Sequence, residues 1–163
     1  MNRVGNCTPT LPTSYAARAA RTERRIAGSN TELVMLSMSC HCGTVRIEVA
    51  RRPRSITECN CSVCRRYAAR WAYYRRESVK VMAPARALQS YSRGRALYFD
   101  HCRRCGCVMQ WRLKPARSAA NRLAVNMRML EDPGALANIK VLRFDGAVSW
   151  KDVGTHTLKQ PWW

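Results

Sequence analysis

Short apolar and polar runs alternate along the chain from about residue 39 onward, in the pattern of β-strands. The clearest run is 44–49, where β-favouring apolar residues alternate with polar ones at a period of two and predict a half-buried strand. Similar runs, separated by proline and glycine turn signals, predict further strands at 71–74, 79–82, 88–91, 96–101 and 107–113. The segments 122–127, 130–137 and 141–144 complete the domain.

Little of the chain has helical periodicity, and only the stretch 62–69 predicts one short helix. Many short strands with so little helix favour a mainly β fold, in which a small sheet of short antiparallel strands folds over onto itself. With 163 residues, the chain has room for one domain with a modest core.

The beginning of the chain differs in composition from the rest. A turn-rich polar stretch at 8–14 is followed by an Ala- and Arg-rich stretch at 15–26. We interpret 1–37 as a basic, disordered extension, 38–155 as the folded domain and 156–163 as a tail. The extension also resembles a mitochondrial presequence, and translation from Met35 or Met38 is a further alternative.

The formal net charge is +19, from 29 Lys and Arg against 10 Asp and Glu. Arginine supplies 24 of these cations and suits pairing with phosphate or carboxylate groups. The arginines are scattered rather than interleaved with stacking aromatics, so nucleic-acid binding stays open without being favoured. The sequence has no apolar run of about eighteen residues and no secretory signal, which predicts a cytoplasmic protein without a membrane partner.

Seven of the nine cysteines form three clusters: Cys40 with Cys42, Cys59 with Cys61 and Cys64, and Cys102 with Cys105. Thiolates this close in sequence can point at one tetrahedral ion with a Zn–S distance of about 2.3 Å, whereas such neighbours cannot easily form a disulfide. Clustered cysteines in a cytoplasmic protein are typical of metal sites. The pattern therefore predicts zinc, with an iron–sulfur cluster as the competing interpretation.

Counting the thiolates predicts two zinc ions in two different kinds of site. The first and third clusters together offer four thiolates, the closed ligand set of a structural zinc, which would join an early hairpin to a late one. The middle cluster offers three and leaves one position open, as catalytic zinc sites do. Alternatively, a fourth protein ligand closes the middle site, and the candidates are Cys107, His101 and His41.

Three stretches of sequence carry a family resemblance: Cys40-His41-Cys42-Gly43, Cys59-Asn60-Cys61-Ser62-Val63-Cys64 and Cys102-Arg103-Arg104-Cys105. Together with Arg143-Phe144-Asp145-Gly146, they make the chain resemble the glutathione-dependent formaldehyde-activating enzyme (GFA) family, which includes centromere protein V. The resemblance extends from about residue 39 to residue 153 and implies a zinc-bound β-tent.

The resemblance implies a carbon–sulfur lyase that joins glutathione to an aldehyde such as formaldehyde and yields S-hydroxymethylglutathione. The open zinc position would bind the thiol and lower its pKa, which keeps it as a thiolate beside the aldehyde. The implied structural ligands are Cys40, Cys42, Cys102 and Cys105, and the implied catalytic ligands are Cys59, Cys61 and Cys64.

Four basic residues near the clusters are candidates for pairing with the two carboxylates of glutathione, although a solvated basic face is the more common reason for such residues: Arg65, Arg66, Arg75 and Arg76. A second class of function is a non-catalytic zinc module that binds protein or nucleic acid through its basic surface. The fourth position of the middle zinc separates the two classes, because an open position favours the lyase and a protein ligand favours the binding module.

Overall fold

The computed structural model describes residues 35–92, 94, 96–115 and 121–160, so the predicted extension up to residue 34 lies outside the described residues. Within these ranges the chain forms one α-helix, α1 (Cys64–Tyr67), and eleven strands: β1 (Leu36–Ser39), β2 (Arg46–Val49), β3 (Ser55–Cys59), β4 (Arg70–Arg75), β5 (Val79–Met82), β6 (Leu88–Tyr91), β7 (Leu97–Cys102), β8 (Val108–Leu113), β9 (Arg122–Asn126), β10 (Ile139–Asp145) and β11 (Lys151–Leu158). Short 3-10 helices occupy Arg76–Ser78, Met127–Met129 and Pro133–Leu136.

The described strands form two sheets. The smaller sheet has the order β1-β2-β5, and the larger has the order β11-β10-β3-β4-β9-β8-β7-β6. The mainly β fold with little helix is confirmed. The named strands pair in antiparallel fashion with one exception, because β10 lies parallel to β3. Among the described residues, no helix has the length and apolar character needed to cross a membrane.

The main hydrophobic core joins the two sheets. Met38 and Ile47 of the small sheet are fully buried, as are Ile56, Val125 and Val141 of the large sheet. In most of these strands a second buried residue lies two positions away from the one named. The period-two pattern of the sequence therefore gives each strand one face that packs in the core. A second, smaller apolar cluster forms around Trp71, and it adjoins the middle group of cysteines.

Both ends of the folded region extend beyond the predicted boundaries at residues 38 and 155. Leu36 begins β1 and is only 4% exposed, so part of the predicted extension belongs to the sheet. β11 continues into the predicted tail, where Leu158 is buried against the core. These two strands were not predicted. β1 alternates apolar and polar residues but has only four of them, too few to stand out, and β11 exposes most of its residues and has no apolar alternation.

Candidate metal centres

The first and third cysteine clusters come together in space. Cys40 and Cys42 lie in the turn between β1 and β2. Cys102 is the last residue of β7, and Cys105 lies in the turn between β7 and β8. The four Sγ atoms all lie within 4.8 Å of one another. The distance from Cys40 Sγ to Cys42 Sγ is 3.5 Å, and that from Cys42 Sγ to Cys102 Sγ is 3.7 Å. A tetrahedron with Zn–S bonds of about 2.3 Å has S···S edges of roughly 3.8 Å, so the donor set fits zinc.

Each of these two turns depends on a glycine in the left-handed region. Gly43 has φ of +73° and Gly106 has φ of +75°, conformations that other residues adopt only with strain. The Gly43 N–H donates to the Cys40 carbonyl at 2.8 Å, and the Gly106 N–H donates to the Cys102 carbonyl at 2.8 Å. The glycines therefore turn the chain tightly enough for both cysteines of each pair to face one centre.

The thiols of this four-cysteine group differ in their ionisation. Burial raises the pKa of Cys40 to about 12. Burial also acts to raise the pKa of Cys105, but hydrogen bonds from the backbone of Cys107 and Cys42 outweigh it and lower the value to about 6. Four thiols this close cannot all ionise without a cation among them, because like charges repel. A divalent ion is the natural complement of the group.

The middle cluster forms a second, separate group. Cys59 ends β3, Cys61 lies in the following turn, and Cys64 is the first residue of α1. Their Sγ atoms lie within 4.8 Å of one another, and among the described residues no further Cys, His, Asp or Glu side chain joins them. The Cys61 N–H donates to Cys59 Sγ at 3.4 Å, and the Cys64 N–H donates to Cys61 Sγ at 3.5 Å. The spacing and the N–H donors suit three thiolates that hold one ion.

The candidate fourth ligands Cys107, His101 and His41 do not join the middle group. Cys107 lies instead beside the four-cysteine group, where burial raises its pKa and the neighbouring Cys105 adds to the effect. The backbone of His41 also hydrogen-bonds to the Cys107 thiol. In the described part of the chain, the middle group therefore offers three thiols and no fourth candidate ligand.

The loop between β10 and β11 closes over the middle group. Asn60 Nδ2 donates to Asp145 Oδ1 at 2.8 Å, and Asn60 Oδ1 accepts from the Ala147 N–H at 3.0 Å. The hydrogen bonds from Asn60 and Ser149 hold the pKa of Asp145 well below its usual range, so this carboxylate stays charged at neutral pH. We call the paired side chains of Asn60 and Asp145 the loop clasp.

Gly146 follows the loop clasp and packs directly on the middle cysteines. A Cβ built on Gly146 would lie 2.6 Å from Cys59 Sγ and 3.1 Å from Cys61 Cβ. Only a residue without a side chain fits this close approach. The Asp145-Gly146 pair is recognisable in sequence as a turn, but its contact with Cys59 depends on the parallel pairing of β10 with β3.

Aromatic side chains line the other side of the middle group. The Trp71 ring is 1% exposed, and its Nε1–H donates to Cys64 Sγ at 3.3 Å. Tyr73 is 40% exposed and packs edge-on against Trp111 at 5.8 Å between ring centroids. Burial raises the pKa of Tyr73, and the nearby thiols of Cys59 and Cys64 contribute to the rise. Only the contacts of these aromatics in the fold relate them to the thiols.

The basic candidates occupy two places. Arg65 and Arg66 are exposed on α1, directly after Cys64. Arg75 lies at the far end of β4 and pairs with Glu77 at 3.7 Å, and Arg76 follows it. The structure therefore places only the first pair next to the middle group.

Comparison with known sequences decides the family. The sequence profile of the glutathione-dependent formaldehyde-activating enzyme family matches residues 35–143, which include all seven clustered cysteines. The chain belongs to this GFA family. No curated protein matches the sequence. The GFA-family chain is also similar to the crystal structure of a Rhodobacter sphaeroides protein, with 32% sequence identity and a TM-score of 0.52 over 63% of this chain and 96% of that one.

The family match ends at residue 143, just before Asp145 and Gly146. In this GFA-family chain, Asp145 of the loop clasp and Gly146 thus lie beyond the residues that the profile covers, whereas their partners Asn60 and Cys59 lie within them. The signal that could have found them is the Asn60 side chain between two cysteines, since a short polar residue in that position often hydrogen-bonds a neighbouring loop.

Proposed function

We propose that this GFA-family chain is a zinc-dependent carbon–sulfur lyase that joins a small thiol, of the glutathione type, to an aldehyde such as formaldehyde. The observation that carries the proposal is the group of Cys59, Cys61 and Cys64, which has three thiols and no fourth ligand among the described residues. The family to which the chain belongs supports the choice of thiol and aldehyde. We assign the structural zinc to the four-cysteine group of Cys40, Cys42, Cys102 and Cys105.

The three thiolates of the middle group would hold the catalytic zinc, and that ion would supply an open position that stabilises the substrate thiol as a thiolate. The protein contributes the surroundings. The Trp71 N–H fixes the Cys64 thiolate, and Gly146 covers Cys59. Arg65 and Arg66 are exposed beside the group and suit the carboxylates of glutathione.

Tyr73 supplies the proton in this proposal. Burial raises the pKa of its hydroxyl, so the group stays protonated at neutral pH and donates a hydrogen bond. The substrate thiol loses its proton to solvent, its sulfur forms a bond to the aldehyde carbon, and the aldehyde oxygen gains a proton as the carbonyl double bond becomes single. Tyr73 would deliver that proton and recover one from solvent.

The experiment compares metal-loaded wild type, Cys61→Ser and Cys107→Ser. Glutathione binding is titrated by calorimetry, and formation of the formaldehyde adduct is followed by exchange spectroscopy against the spontaneous reaction, because thiols add to formaldehyde unaided. We expect wild type to bind glutathione and accelerate the reaction, and Cys61→Ser to stay folded and lose both properties. Cys107→Ser changes a thiol outside the three-cysteine group and should behave as wild type.

Failure of wild type to bind any small thiol would exclude the lyase, and so would full activity in Cys61→Ser. Either result would favour a zinc module that binds a partner through its basic surface. Tyr73→Phe tests the proton donor separately, since it should lower the rate by about 100-fold or more while glutathione still binds.

A further inference from the structure

A cleft with a volume of about 470 Å³ lies between the small sheet and the β6–β9 part of the large sheet. Its size falls in the range of small-molecule sites, and it far exceeds the roughly 30 Å³ that one water occupies. None of the described cysteines lines it. The cleft is therefore separate from both candidate metal centres.

One wall of the cleft is an apolar surface that the core leaves uncovered. Val81 of β5 lies directly opposite Ile47 of β2 in the antiparallel register, so both side chains face the same way. Ile47 is fully buried, whereas Val81 stays 37% exposed. Val79 and Leu88 continue this surface. The two sheets thus separate at Val81 and leave an aliphatic slot instead of a packed core.

The floor of the cleft holds a buried polar network with one orphan atom. The Asp100 carboxylate is 3% exposed and accepts from Ser90 Oγ at 2.6 Å, Gln110 Nε2 at 2.8 Å and Arg112 Nε at 3.0 Å. Gln110 is 5% exposed, and its Oε1 is buried with no hydrogen-bond partner among the described residues. Rotating the amide would not help, because Oε1 would then face the carboxylate of Asp100.

A buried acceptor without a donor costs about 1–3 kcal/mol, so an occupant with an O–H or N–H group gains by supplying one. The charges of the residues that line the cleft indicate a further group that the ligand should carry. Arg112 is matched by Asp100, but Arg76 also lines the cleft and has no ion pair in the described part of the chain. The cleft consequently carries one unmatched positive charge, which suits a carboxylate.

We propose that this cleft binds a small branched aliphatic carboxylate with a hydroxyl group, such as a 2-hydroxy acid. Its carboxylate would pair with Arg76, its hydroxyl would donate to Gln110 Oε1, and its branched chain would fill the slot along Val81. Each group of the ligand would thus contact one feature of the cleft. The site is independent of the thiol chemistry proposed for the middle cysteines.

The test titrates 2-hydroxy-4-methylpentanoate into the metal-loaded full chain by calorimetry. We expect saturable binding that weakens at least tenfold for 4-methylpentanoate, which lacks the hydroxyl, and at least tenfold in Arg76→Ala. Arg75→Ala is the matched control, because it removes the same charge one residue away and Arg75 does not line the cleft. Val81→Trp should fill the slot and abolish binding, with thermal melting used to verify that the variant is folded.

Binding of the hydroxy acid should persist in Cys61→Ser, so the test of the cleft does not depend on the proposed lyase activity. Absence of binding to wild type at millimolar ligand would overturn the proposal. Equal affinities for the hydroxylated and plain acids would also overturn it, as would equal losses in Arg76→Ala and Arg75→Ala or unchanged binding in folded Val81→Trp.

Discussion

The two cysteine groups differ in their number of thiols rather than in burial. Each group combines buried and partly buried thiols: two of each among Cys40, Cys42, Cys102 and Cys105, and one buried with two partly buried among Cys59, Cys61 and Cys64. Four thiols offer the closed ligand set that suits a structural ion, whereas three would leave a position that a substrate thiol can take.

We expect Cys105→Ser to destabilise the protein strongly, because the free energy of binding a structural zinc is also folding free energy. A loss of several kcal/mol corresponds to a decrease in Tm of roughly 10 °C or more. Cys107→Ser is the matched control, since this half-buried thiol lies beside the group without belonging to it. Its cost should stay within about 1 kcal/mol. Equal melting temperatures in the two variants would contradict the structural assignment.

At Gly146, we expect substitution by alanine to disturb only the middle group. The new Cβ would lie 2.6 Å from Cys59 Sγ, so the loop or the thiol must move. The expected result is loss of zinc and thiol binding at the middle group, with the zinc of the four-cysteine group retained. Metal analysis and glutathione titration measure the two effects. Retention of both metals with normal thiol binding would show that the loop adapts freely.

At the scale of elements, the sequence pattern predicts strands that have apolar alternation better than strands that lack it. The predicted strands 79–82 and 88–91 coincide with β5 and β6. The predicted helix 62–69 shortens to Cys64–Tyr67, because Ala68 adopts φ of +48° and ends it. β11 exposes most of its residues, so its backbone pairing with β10, and not the burial of its side chains, makes it a strand.

The strand β1 gives a direct test of where the domain begins. Leu36 is 4% exposed and belongs to the main core, whereas the neighbouring Met35 is 57% exposed. We expect Leu36→Ala to lower the free energy of unfolding by about 2–4 kcal/mol, because it leaves a cavity. Met35→Ala should change it by less than about 0.5 kcal/mol. Chemical denaturation measures both values, and a neutral Leu36→Ala would place the true domain start after β1.

Across the whole molecule, the four-cysteine group ties the two sheets together. Cys40 and Cys42 follow β1 of the small sheet, whereas Cys102 ends β7 of the large sheet and Cys105 follows that strand. An ion held there would crosslink parts of the chain about sixty residues apart, which compensates for a modest core. The middle group lies within a single sheet region and has no such bridging role.

Elemental analysis should therefore give about two zinc ions per chain in protein purified without chelator. Replacing Cys59, Cys61 and Cys64 together by serine should leave about one zinc and change Tm by only a few degrees. Full removal of metal by a strong chelator should instead abolish the cooperative unfolding transition. A single zinc in wild type, or iron as the main metal, would contradict the assignment of two zinc sites.

The sequence by itself determined the cysteine groups and the class of fold. Short spacings such as Cys40 to Cys42 force both thiols toward one point, and period-two alternation forces a strand to bury one face, so both are local properties of the chain. The tertiary structure alone decided the rest. It placed Gly146 against Cys59 through the parallel pairing of β10 and β3, and it opened the cleft beside Val81. Contacts between distant segments depend on sheet order and register, which no local pattern encodes.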